Sequence, residues 1–294
     1  MLDHRYETFL VLCRIKNYTK TAELLNMTQP GVTQHIHHLE QICGGKLFQY
    51  RNRTLTLTAR GEKLLDFVSR LKADSIQSMN TLRSDRLLPP LCFGATLTIG
   101  EYVMPSFLRQ IHDELSEIML TMQVGNTATL LDKLQRGEIQ FALVEGFFDR
   151  SIYDSKRLKT EEFIAVCAPN SPLALGEVSL GQLLSSRLIL REQGSGTRDI
   201  LEHALMRHNL AVGSFKGVME IGNMSAIKQL VADNLGISFM YRVAAASEIR
   251  EGRLCEIHLS DCSVQHDFSF VTLKNSIHQE QYLSWFDRFQ SVPG

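Results

Sequence analysis

The segment TQPGVTQHIHHLE, residues 28–40, constrains the fold of this chain most strongly. At about 100° per residue, an α-helix places Val32, Ile36, Leu39 and Cys43 on one apolar face. The opposite face carries Pro30, Thr33, Gln34, His37 and Gln41. Thr28 is expected to cap this helix, and a proline in the first turn is tolerated because its missing N–H would have no partner there. The pattern therefore predicts a helix with an apolar back and a polar front, and not a loop.

The three histidines of this segment raise the alternative of a metal site. On the helix they point in different directions, so that only His35 and His38 are placed to share an ion. A structural zinc ion takes four ligands, and the nearby Cys43 lies on the apolar face. We therefore expect no metal here.

The flanking segments complete a winged helix-turn-helix over residues 1–58. YETFLVLCRI and NYTKTAELLN predict two earlier helices, the second capped by Thr19, and a tight NMT turn precedes the polar-fronted helix. KLFQYRNRTLTLTARGEKL alternates like a hairpin, with Arg51 and Arg53 at its tip. A small helical bundle with a solvated basic loop is the alternative, but it does not explain why wing, polar front and basic charge coincide.

The charge distribution supports a polyanionic partner at the N-terminal end only. Residues 1–88 hold 13 Lys+Arg against 8 Asp+Glu, a net charge of +5, which leaves a net charge of −6 for residues 89–294. Four of the ten histidines also lie in the basic part. This asymmetry indicates a polyanionic partner, and the winged helix-turn-helix at the same end makes double-stranded DNA the expected one.

From Ala59 to Arg86 the apolar spacing predicts one long helix, a linker of residues 59–88 that the Pro89–Pro90 pair ends. Its seam consists of Leu64, Val68, Leu71, Ser75, Met79 and Leu82. An imperfect seam of this kind is expected to pair two chains.

Beyond the prolines the chain alternates between short strands and helices. The predicted strands are LCFGATL, IMLTMQV, IQFALV, FIAVCA, RLIL, GVMEI, GISFM and LCEIHL. This alternation indicates a largely parallel α/β sheet covered by helices, long enough for two lobes.

Four stretches place small polar residues between a strand and a helix. They are Thr96-Leu97-Thr98, Asn126-Thr127, Gly194-Ser195-Gly196-Thr197 and Asn223-Met224-Ser225. Hydroxyls and free N–H groups at helix N-termini suit a carboxylate or another small anion. The alternative for each is a simple helix cap, and Thr98 with Glu101 has the spacing of a capping box. Arg191 and Arg198 either add a counter-charge or form surface ion pairs.

Other classes of protein fit less well. EQGSGT resembles a nucleophile elbow but has Gln193 where the first glycine is needed, and GGK lacks the rest of a phosphate-binding loop, so we expect no catalytic residues and no cofactor. The six cysteines lack metal or disulfide spacing; Cys255 and Cys262 are either a redox pair or idle thiols. A secretory signal pattern and a membrane-spanning apolar run are both absent from the sequence, so a cytoplasmic protein without a membrane partner is expected. An exported solute-binding protein would need an export signal, and an architectural DNA-binding protein would need no cleft domain, so both alternatives fit less well.

The stretch YTKTAELLNMTQPGVTQHIHHLEQICGGKLF…LTLTARGEKL resembles the LysR-type transcriptional regulators. The matching positions include Ala22, Gln29-Pro30, Val32, Thr33-Gln34, Leu39-Glu40, Leu47-Phe48, Arg51, Leu57-Thr58 and Gly61. The resemblance implies an N-terminal α winged helix-turn-helix, a long linker helix, and a two-lobed α/β effector domain like a periplasmic binding protein. Lobe I would comprise residues 91–165 and 267–294, and lobe II residues 166–266. GATLTIGEYVMP and LREQGSGTR resemble the subgroup around the sulfur-metabolism regulator CysL.

The resemblance implies a homo-oligomer, a dimer or tetramer, that binds an operator and is controlled by a small effector. The hydroxyls and N–H groups at the helix N-termini predict that this effector is an anion. Base contacts are expected from Gln29, Thr33, Gln34 and His37, and backbone contacts or positioning from Lys20, Thr28, Pro30, Arg51 and Arg53. Effector contacts are expected from Thr96, Thr98, Thr127, Ser195, Thr197 and Ser225.

Two positions depart from the family pattern. A basic residue is common where His37 or His38 stands, and Ala or Ser is commoner than Gly31. Because histidine loses its charge near neutral pH, we expect DNA affinity to fall as pH rises through the histidine range.

Overall fold

The computed structural model describes residues 3–83, 90–112 and 118–290. The N-terminal unit consists of α1 (His4–Ile15), α2 (Tyr18–Leu24), α3 (Gln29–Cys43) and a hairpin of β1 (Phe48–Arg51) and β2 (Thr54–Leu57). The apolar faces of these elements share one core, in which Phe9, Leu12 and Val32 are fully buried. The predicted winged helix-turn-helix is present.

Local capping explains where α2 and α3 begin. Asn17, and not Thr19 as predicted, caps α2, because its side chain is the one that accepts a hydrogen bond from the Lys20 N–H, at 3.0 Å. The Thr28 hydroxyl accepts the Gly31 N–H at 3.2 Å, which is the predicted cap of α3. Between the two helices Asn26 adopts a left-handed backbone with φ of 52°, which lets the chain turn tightly.

The hairpin ends in a two-residue turn, Asn52-Arg53, whose φ angles are 48° and 62°. Two successive positive φ angles are the signature of the type I′ turn that suits a twisted hairpin. Arg51 and Arg53 are both exposed at this tip, where the sequence predicts a wing.

The linker helix is α4 (Ala59–Arg83). Val68 of the predicted seam is buried within the chain, whereas Leu71 and Met79 are each 40% exposed and Leu82 is 78% exposed. An apolar stripe that its own chain leaves uncovered fits the predicted pairing with a second chain. The predicted end of this helix, Arg86 and Pro89, lies outside the described residues.

The linker helix also docks on the C-terminal domain through buried polar groups. The Ser276 hydroxyl donates to the Asp74 carboxylate at 2.6 Å, and the Gln77 amide donates to the Gly137 carbonyl at 3.0 Å. Asp74 and Gln77 are each 7% exposed. These hydrogen bonds to buried side chains fix the orientation of α4 relative to lobe I.

Lobe I is a sheet with helices around it. Its elements are β3 (Leu91–Thr96), a π-helical turn (Ile99–Val103) that continues into α5 (Met104–Gln110), β4 (Leu120–Gly125), α6 (Thr127–Gln135), β5 (Ala142–Val144) and, from the end of the chain, α11 (Gln279–Gln290). β3 pairs in parallel with both β4 and β5. The carboxyl ends of these three strands therefore meet at one edge of the sheet.

Lobe II repeats this arrangement with shorter strands. Its elements are β7 (Glu177–Val178), α7 (Leu180–Leu183), β8 (Arg187–Leu190), α8 (Gly196–Arg207), β9 (Gly217–Glu220), α9 (Met224–Ala232), β10 (Ser238–Tyr241), α10 (Arg242–Arg250) and β11 (Cys255–Leu259). β8 pairs in parallel with β9 and bridges in parallel to Ile237 just before β10. Helices α8, α9 and α10 thus start at one common edge.

Two long strands, β6 (Tyr153–Cys167) and β12 (Val264–Leu273), run through both lobes and pair antiparallel along ten positions of β12. β6 also pairs with β10 and β11 at its far end. The sequence predicts only the last part of β6, FIAVCA, because the first part is polar. The predicted lobe limits, 165/166 and 266/267, fall inside these two strands. The predicted two-lobed α/β fold class is confirmed.

Candidate DNA-binding surface and effector cleft

The polar front of α3 is open to solvent. Gln29, Pro30, Thr33, Gln34 and His37 are all exposed. The opposite face is buried, with Ile36 and Leu39 at 2% and 1% exposure. The major groove of B-DNA admits an α-helix, and this front has the hydrogen-bonding side chains that read base edges.

Contacts within α3 order part of this front. The Gln29 amide donates to the Thr33 hydroxyl at 3.0 Å, and that hydroxyl donates to the Gln29 carbonyl at 3.1 Å. The two side chains therefore present one joint hydrogen-bonding surface.

His35 does not belong to this front. Its Nδ1 lies 2.9 Å from the Thr8 hydroxyl, and its ring packs edge-on against His4 at 5.0 Å between centroids. Burial, followed by the charges of His4 and Arg5, lowers the pKa of His35. This histidine thus holds α3 against α1.

The residues predicted to contact phosphates surround α3. Lys20 is exposed on α2 and Thr28 at the start of α3, and Arg51 and Arg53 are exposed at the wing. The Thr28 hydroxyl already caps α3, so a phosphate contact from this residue would come in addition to that bond.

Four of the six predicted effector residues bind one unpredicted residue, Glu145, which follows β5. The Thr96 hydroxyl donates to Glu145 Oε2 at 2.7 Å, while the hydroxyls of Thr98 and Thr197 each donate to Oε1 at 3.0 Å. The Thr127 hydroxyl donates to the Glu145 main-chain carbonyl at 2.6 Å. We call this group, which consists of Thr96, Thr98, Thr127, Glu145 and Thr197, the Glu145 cluster.

The Glu145 cluster is closed to solvent. Glu145 is 1% exposed, and Thr98 is fully buried. Burial raises the pKa of Glu145 above its ordinary value, although the three hydroxyl donors and the charge of Arg191 act in the opposite direction. The three hydroxyl donors satisfy the carboxylate oxygens of this buried side chain.

Backbone contact between the lobes closes the cleft. A Cβ atom on Gly196 would lie 2.1 Å from the Glu145 carbonyl oxygen, and one on Gly146 would lie 2.7 Å from the Gly196 Cα. Only glycine permits this approach of α8 in lobe II to the end of β5 in lobe I.

The lobes also meet at two side-chain contacts. The Lys228 ammonium of α9 lies 4.6 Å from the centroid of the Tyr102 ring in lobe I and pairs with Glu248 at 2.7 Å. On another side of the junction, the Phe147 ring packs on His203 of α8 at 4.1 Å between centroids. Phe147 and His203 line a cavity of about 290 Å³.

The structure corrects one predicted cap and leaves two residues outside the cluster. Thr98 has a helical backbone and makes no capping bond, so the predicted capping box with Glu101 is wrong; Glu145 binds its hydroxyl instead. Ser195 is buried at the start of α8, without a side-chain capping bond. Ser225 is exposed in the first turn of α9, away from these hydrogen bonds.

The two arginines at the cleft are engaged in ion pairs. Arg191, which is 4% exposed, binds the Glu192 carboxylate at 2.7 Å, and Arg198 pairs with Glu202 at 2.7 Å and Glu220 at 2.5 Å. Ion pairing is one of the two predicted alternatives for these residues.

Sequence reasoning missed two buried polar side chains at strand ends, Glu145 directly after β5 and Tyr241 at the end of β10. The Tyr241 hydroxyl is buried and has no hydrogen-bond partner among the described residues. Burial, then the carboxylates of Glu145, Glu161 and Asp267, raises the pKa of Tyr241. A polar residue at the carboxyl end of an apolar strand was the available signal for both.

Several other sequence alternatives find no counterpart in the ranges 3–83, 90–112 and 118–290. Within them, no three His, Cys, Asp or Glu side chains are grouped to hold a metal ion, and no helix is long and apolar enough to cross a membrane. Cys255 lies opposite Cys167 across β11 and β6, and all six thiols are free.

Two protein-family profiles match this chain. The LysR substrate binding domain matches residues 85–292, and the lysR-family bacterial regulatory helix-turn-helix protein matches residues 4–62. Among curated proteins, the regulator CysL of Bacillus subtilis (strain 168) is 26% identical over 290 residues, which cover 95% of this chain and 94% of CysL. The regulator YeiE of Escherichia coli (strain K12) is 28% identical over 251 residues, which cover 85% of this chain and 84% of YeiE.

Solved structures share the fold. A C206 mutant of Corynebacterium glutamicum OxyR has a TM-score of 0.62 at 23% identity, and the aligned region covers 98% of this chain and 90% of the OxyR chain. The Synechocystis PCC6803 CcmR regulatory domain in complex with 2-PG has a TM-score of 0.62 at 21% identity, covering 69% of this chain and 96% of its own.

Proposed function

This chain belongs to the LysR family of transcriptional regulators, and from that premise we propose how it contacts DNA and which ligand class controls it. It is a DNA-binding regulator with an effector-binding domain, and not an enzyme. The residues and the ligand class below are the proposal.

At the DNA end, α3 enters the major groove. Gln29, Thr33, Gln34 and His37 meet base edges, and Pro30 sets the start of the helix. Lys20, Thr28, Arg51 and Arg53 bind phosphates and fix the register. The support is their common exposure around one helix whose other face is buried.

The regulator acts as a homo-oligomer in the cytoplasm, where its DNA lies. Two copies pair through α4, whose exposed stripe of Leu71, Met79 and Leu82 supports this contact. Pairing places two copies of α3 at a fixed spacing, which a palindromic operator would match.

At the other end, a small anion, such as a carboxylate, binds in the cleft and controls the regulator. The observation that carries this proposal is the Glu145 cluster, in which predicted hydroxyls from both lobes meet at one point between the lobes. Thr96, Thr98, Thr127, Ser195 and Thr197 form the site, and Ser225 lies at its rim. The 2-PG bound to CcmR and the shikimate bound to the effector domain of QuiR support a small-molecule effector.

The effector acts by changing how the two lobes, and thereby the paired DNA-binding domains, are arranged. It can do so only if it binds one arrangement more tightly than the other. The hydrogen bonds of Asp74 and Gln77 between α4 and lobe I provide the mechanical connection.

The DNA half of the proposal is tested by selecting duplexes from a random library with the full-length protein. We expect two enriched half-sites about 10 base pairs, or a multiple of that, apart. Gln34→Ala should change the preferred bases, whereas Arg53→Ala should weaken binding to all duplexes alike. Selection without any enriched sequence would overturn specific recognition.

The effector half is tested by thermal unfolding of the full-length protein in the presence of carboxylates, phosphate and hydrogencarbonate, with equal ionic strength set by chloride. A ligand at 100 times its Kd adds about 2.7 kcal/mol to the free energy of unfolding. Unchanged unfolding temperatures with every anion would contradict an anionic effector.

A further inference from the structure

We propose that Cys167 and Cys255 form a reversible disulfide when the regulator is exposed to an oxidant, and that this bond links β6 to β11 in lobe II. The proposal identifies a modification site apart from the effector cleft, and it does not rest on the proposed effector. The sequence leaves Cys255 either in a redox pair with Cys262 or as an idle thiol. The structure favours a redox pair in which Cys167 takes the place of Cys262.

The first observation is the register of two neighbouring strands. β11 pairs antiparallel with the end of β6, and Cys255 lies directly opposite Cys167. Residues directly opposite each other on antiparallel strands have their Cα atoms about 4.5–5.5 Å apart. The Cα atoms of disulfide-bonded cysteines are usually about 4.4–6.8 Å apart. The paired backbone therefore has the spacing that a disulfide requires.

The second observation is that both thiols lie on the same face of the sheet. Side chains alternate between the two faces along a strand, and residues directly opposite each other share a face. Ala165 and Cys167 of β6 belong to one hydrophobic core, and Cys255 packs against the same core. Val166, between the two β6 residues, belongs to a different core. The two thiols are therefore neighbours that the sheet does not separate.

Cys262 is not placed to pair with Cys255. Cys255 is the first residue of β11, and β11 ends at Leu259. The length of this strand, about 13 Å, separates Cys255 from the start of the segment that holds Cys262. Cys262 lines the same cavity as Phe147 and His203. Cys167 is therefore the partner that the fold offers to Cys255.

The exposure of the two thiols determines the order in which they react. Cys255 is half-buried, and its thiol donates only a weak hydrogen bond to the Glu256 carbonyl oxygen, at 3.6 Å. Cys167 is 1% exposed, and burial, followed by the charge of Cys255, raises its pKa to about 11. The thiolate is the reactive form of cysteine, and the oxidant arrives from solvent. Cys255 therefore reacts first, and Cys167 reacts with the oxidised Cys255.

With hydrogen peroxide as the oxidant, the reaction has two steps. The Cys255 thiolate attacks one peroxide oxygen, the O–O bond breaks, and the released hydroxide takes up a proton to become water; Cys255 becomes a sulfenic acid. The Cys167 sulfur then attacks the Cys255 sulfur, the S–O bond breaks, and the hydroxide leaves as water with the Cys167 proton. The two thiols together lose two electrons and two protons, and hydrogen peroxide is reduced to two molecules of water.

The bond would close a loop that contains most of lobe II. It joins residues 88 positions apart in the sequence (255 − 167), and the elements from β7 to α10 lie between them. A cross-link that closes a long loop restricts the unfolded chain and so stabilises the folded one. In a reducing cytoplasm such a bond is transient. We therefore expect oxidation to stabilise lobe II and reduction to reverse this effect.

The test uses the full-length protein, which is reduced, freed of reductant and treated with hydrogen peroxide. Alkylation of the remaining thiols and peptide mapping should give a linked pair of peptides that contain Cys167 and Cys255. The number of free thiols should fall from six to four, and dithiothreitol should restore all six. The unfolding temperature of the oxidised protein should rise and should return to its former value after reduction.

Three variants separate the roles of the thiols. Cys255→Ser should lose no free thiols on oxidation and should show no rise in unfolding temperature. Cys167→Ala should stop at the sulfenic acid of Cys255, which dimedone traps as a thioether. Cys262→Ser is the matched control, because Cys262 is also half-buried and lies in the same lobe; this variant should still form the linked pair.

Several results would overturn the proposal. They are a loss of thiols that persists in Cys255→Ser, a peptide pair that links Cys255 to Cys262, and oxidation of Cys255 without any disulfide. A disulfide between two copies of the chain, seen as a dimer on a gel without reductant, would also overturn it. If the linked pair forms while the unfolding temperature stays the same or falls, the stabilisation of lobe II by this bond is wrong.

Discussion

Gly196→Ala should prevent the two lobes from closing. The new Cβ would lie 2.1 Å from the Glu145 carbonyl oxygen and 2.8 Å from the Thr127 hydroxyl. Neither atom is the end of a long flexible side chain, so α8 and β5 would have to separate by about 1 Å to reach ordinary contact distance. Gly196 does not have a left-handed backbone, so the substitution strains packing and not the main chain.

The cost follows from overpacking, which typically destabilises a buried contact by about 1–3 kcal/mol. If the cleft can open, the same energy appears as a shift of about 5- to 150-fold in the balance between closed and open lobes. The matched control is Gly213→Ala, because a Cβ there meets no atom within 4 Å and the backbone is again not left-handed.

Urea unfolding and amide hydrogen exchange measure both consequences. We expect Gly196→Ala to lose about 1–3 kcal/mol relative to Gly213→Ala and to exchange faster at Glu145, Gly146 and the first turn of α8. Equal stability and equal exchange in the two variants would refute the view that this backbone contact holds the cleft closed.

Three further predictions concern other parts of the account. Burial raises the pKa of Glu145, so the protonated side chain contributes its full stabilisation below about pH 4.5 and this contribution is lost as pH rises through the raised pKa. The unfolding temperature of Glu145→Gln should therefore increase relative to that of the wild type between pH 5 and 8. A difference in unfolding temperature that stays constant with pH would contradict this. Asp74→Ala leaves the buried Ser276 hydroxyl and a main-chain N–H without their acceptor, so it should cost about 1–3 kcal/mol in urea unfolding, whereas Asp66→Ala, exposed on the same helix, should cost little. Leu71→Glu should produce smaller species in analytical ultracentrifugation if α4 pairs two chains, and an unchanged mass would speak against that pairing.

The sequence predicts the N-terminal domain well because local signals dominate there. The Thr28 cap, the proline in the first turn and the apolar spacing of Val32, Ile36 and Leu39 all act within one helix. The position of the hairpin tip could be predicted from the sequence for the same reason. The one error, Thr19 instead of Asn17, arose because two neighbouring residues are both good caps.

Strands of the C-terminal domain were predicted from short apolar or alternating runs, including the less buried β4 and β9. β8 and β10 are short apolar runs, and both were recognised. The first part of β6 was missed, because it is largely exposed and carries charged residues. Its strand conformation comes from pairing with β12, which lies more than 100 residues later in the chain.

The predicted cleft residues were identified one strand end at a time, and the fold was needed to show what joins them. Thr96 and Thr197 lie 49 and 52 residues from Glu145 in the sequence. The position of a single glutamate after an apolar strand does not indicate that hydroxyls from both lobes will surround it. The closed cleft depends on that tertiary arrangement.

The central claim, sequence-specific DNA recognition, is tested most directly by fluorescence anisotropy of the full-length protein on the DNA just upstream of its own gene, against a shuffled fragment of equal length, at several salt concentrations. We predict a preference of about a thousandfold or more for the native fragment. Equal and steeply salt-dependent binding to both fragments would contradict specific recognition and would indicate a protein that binds DNA only through phosphates.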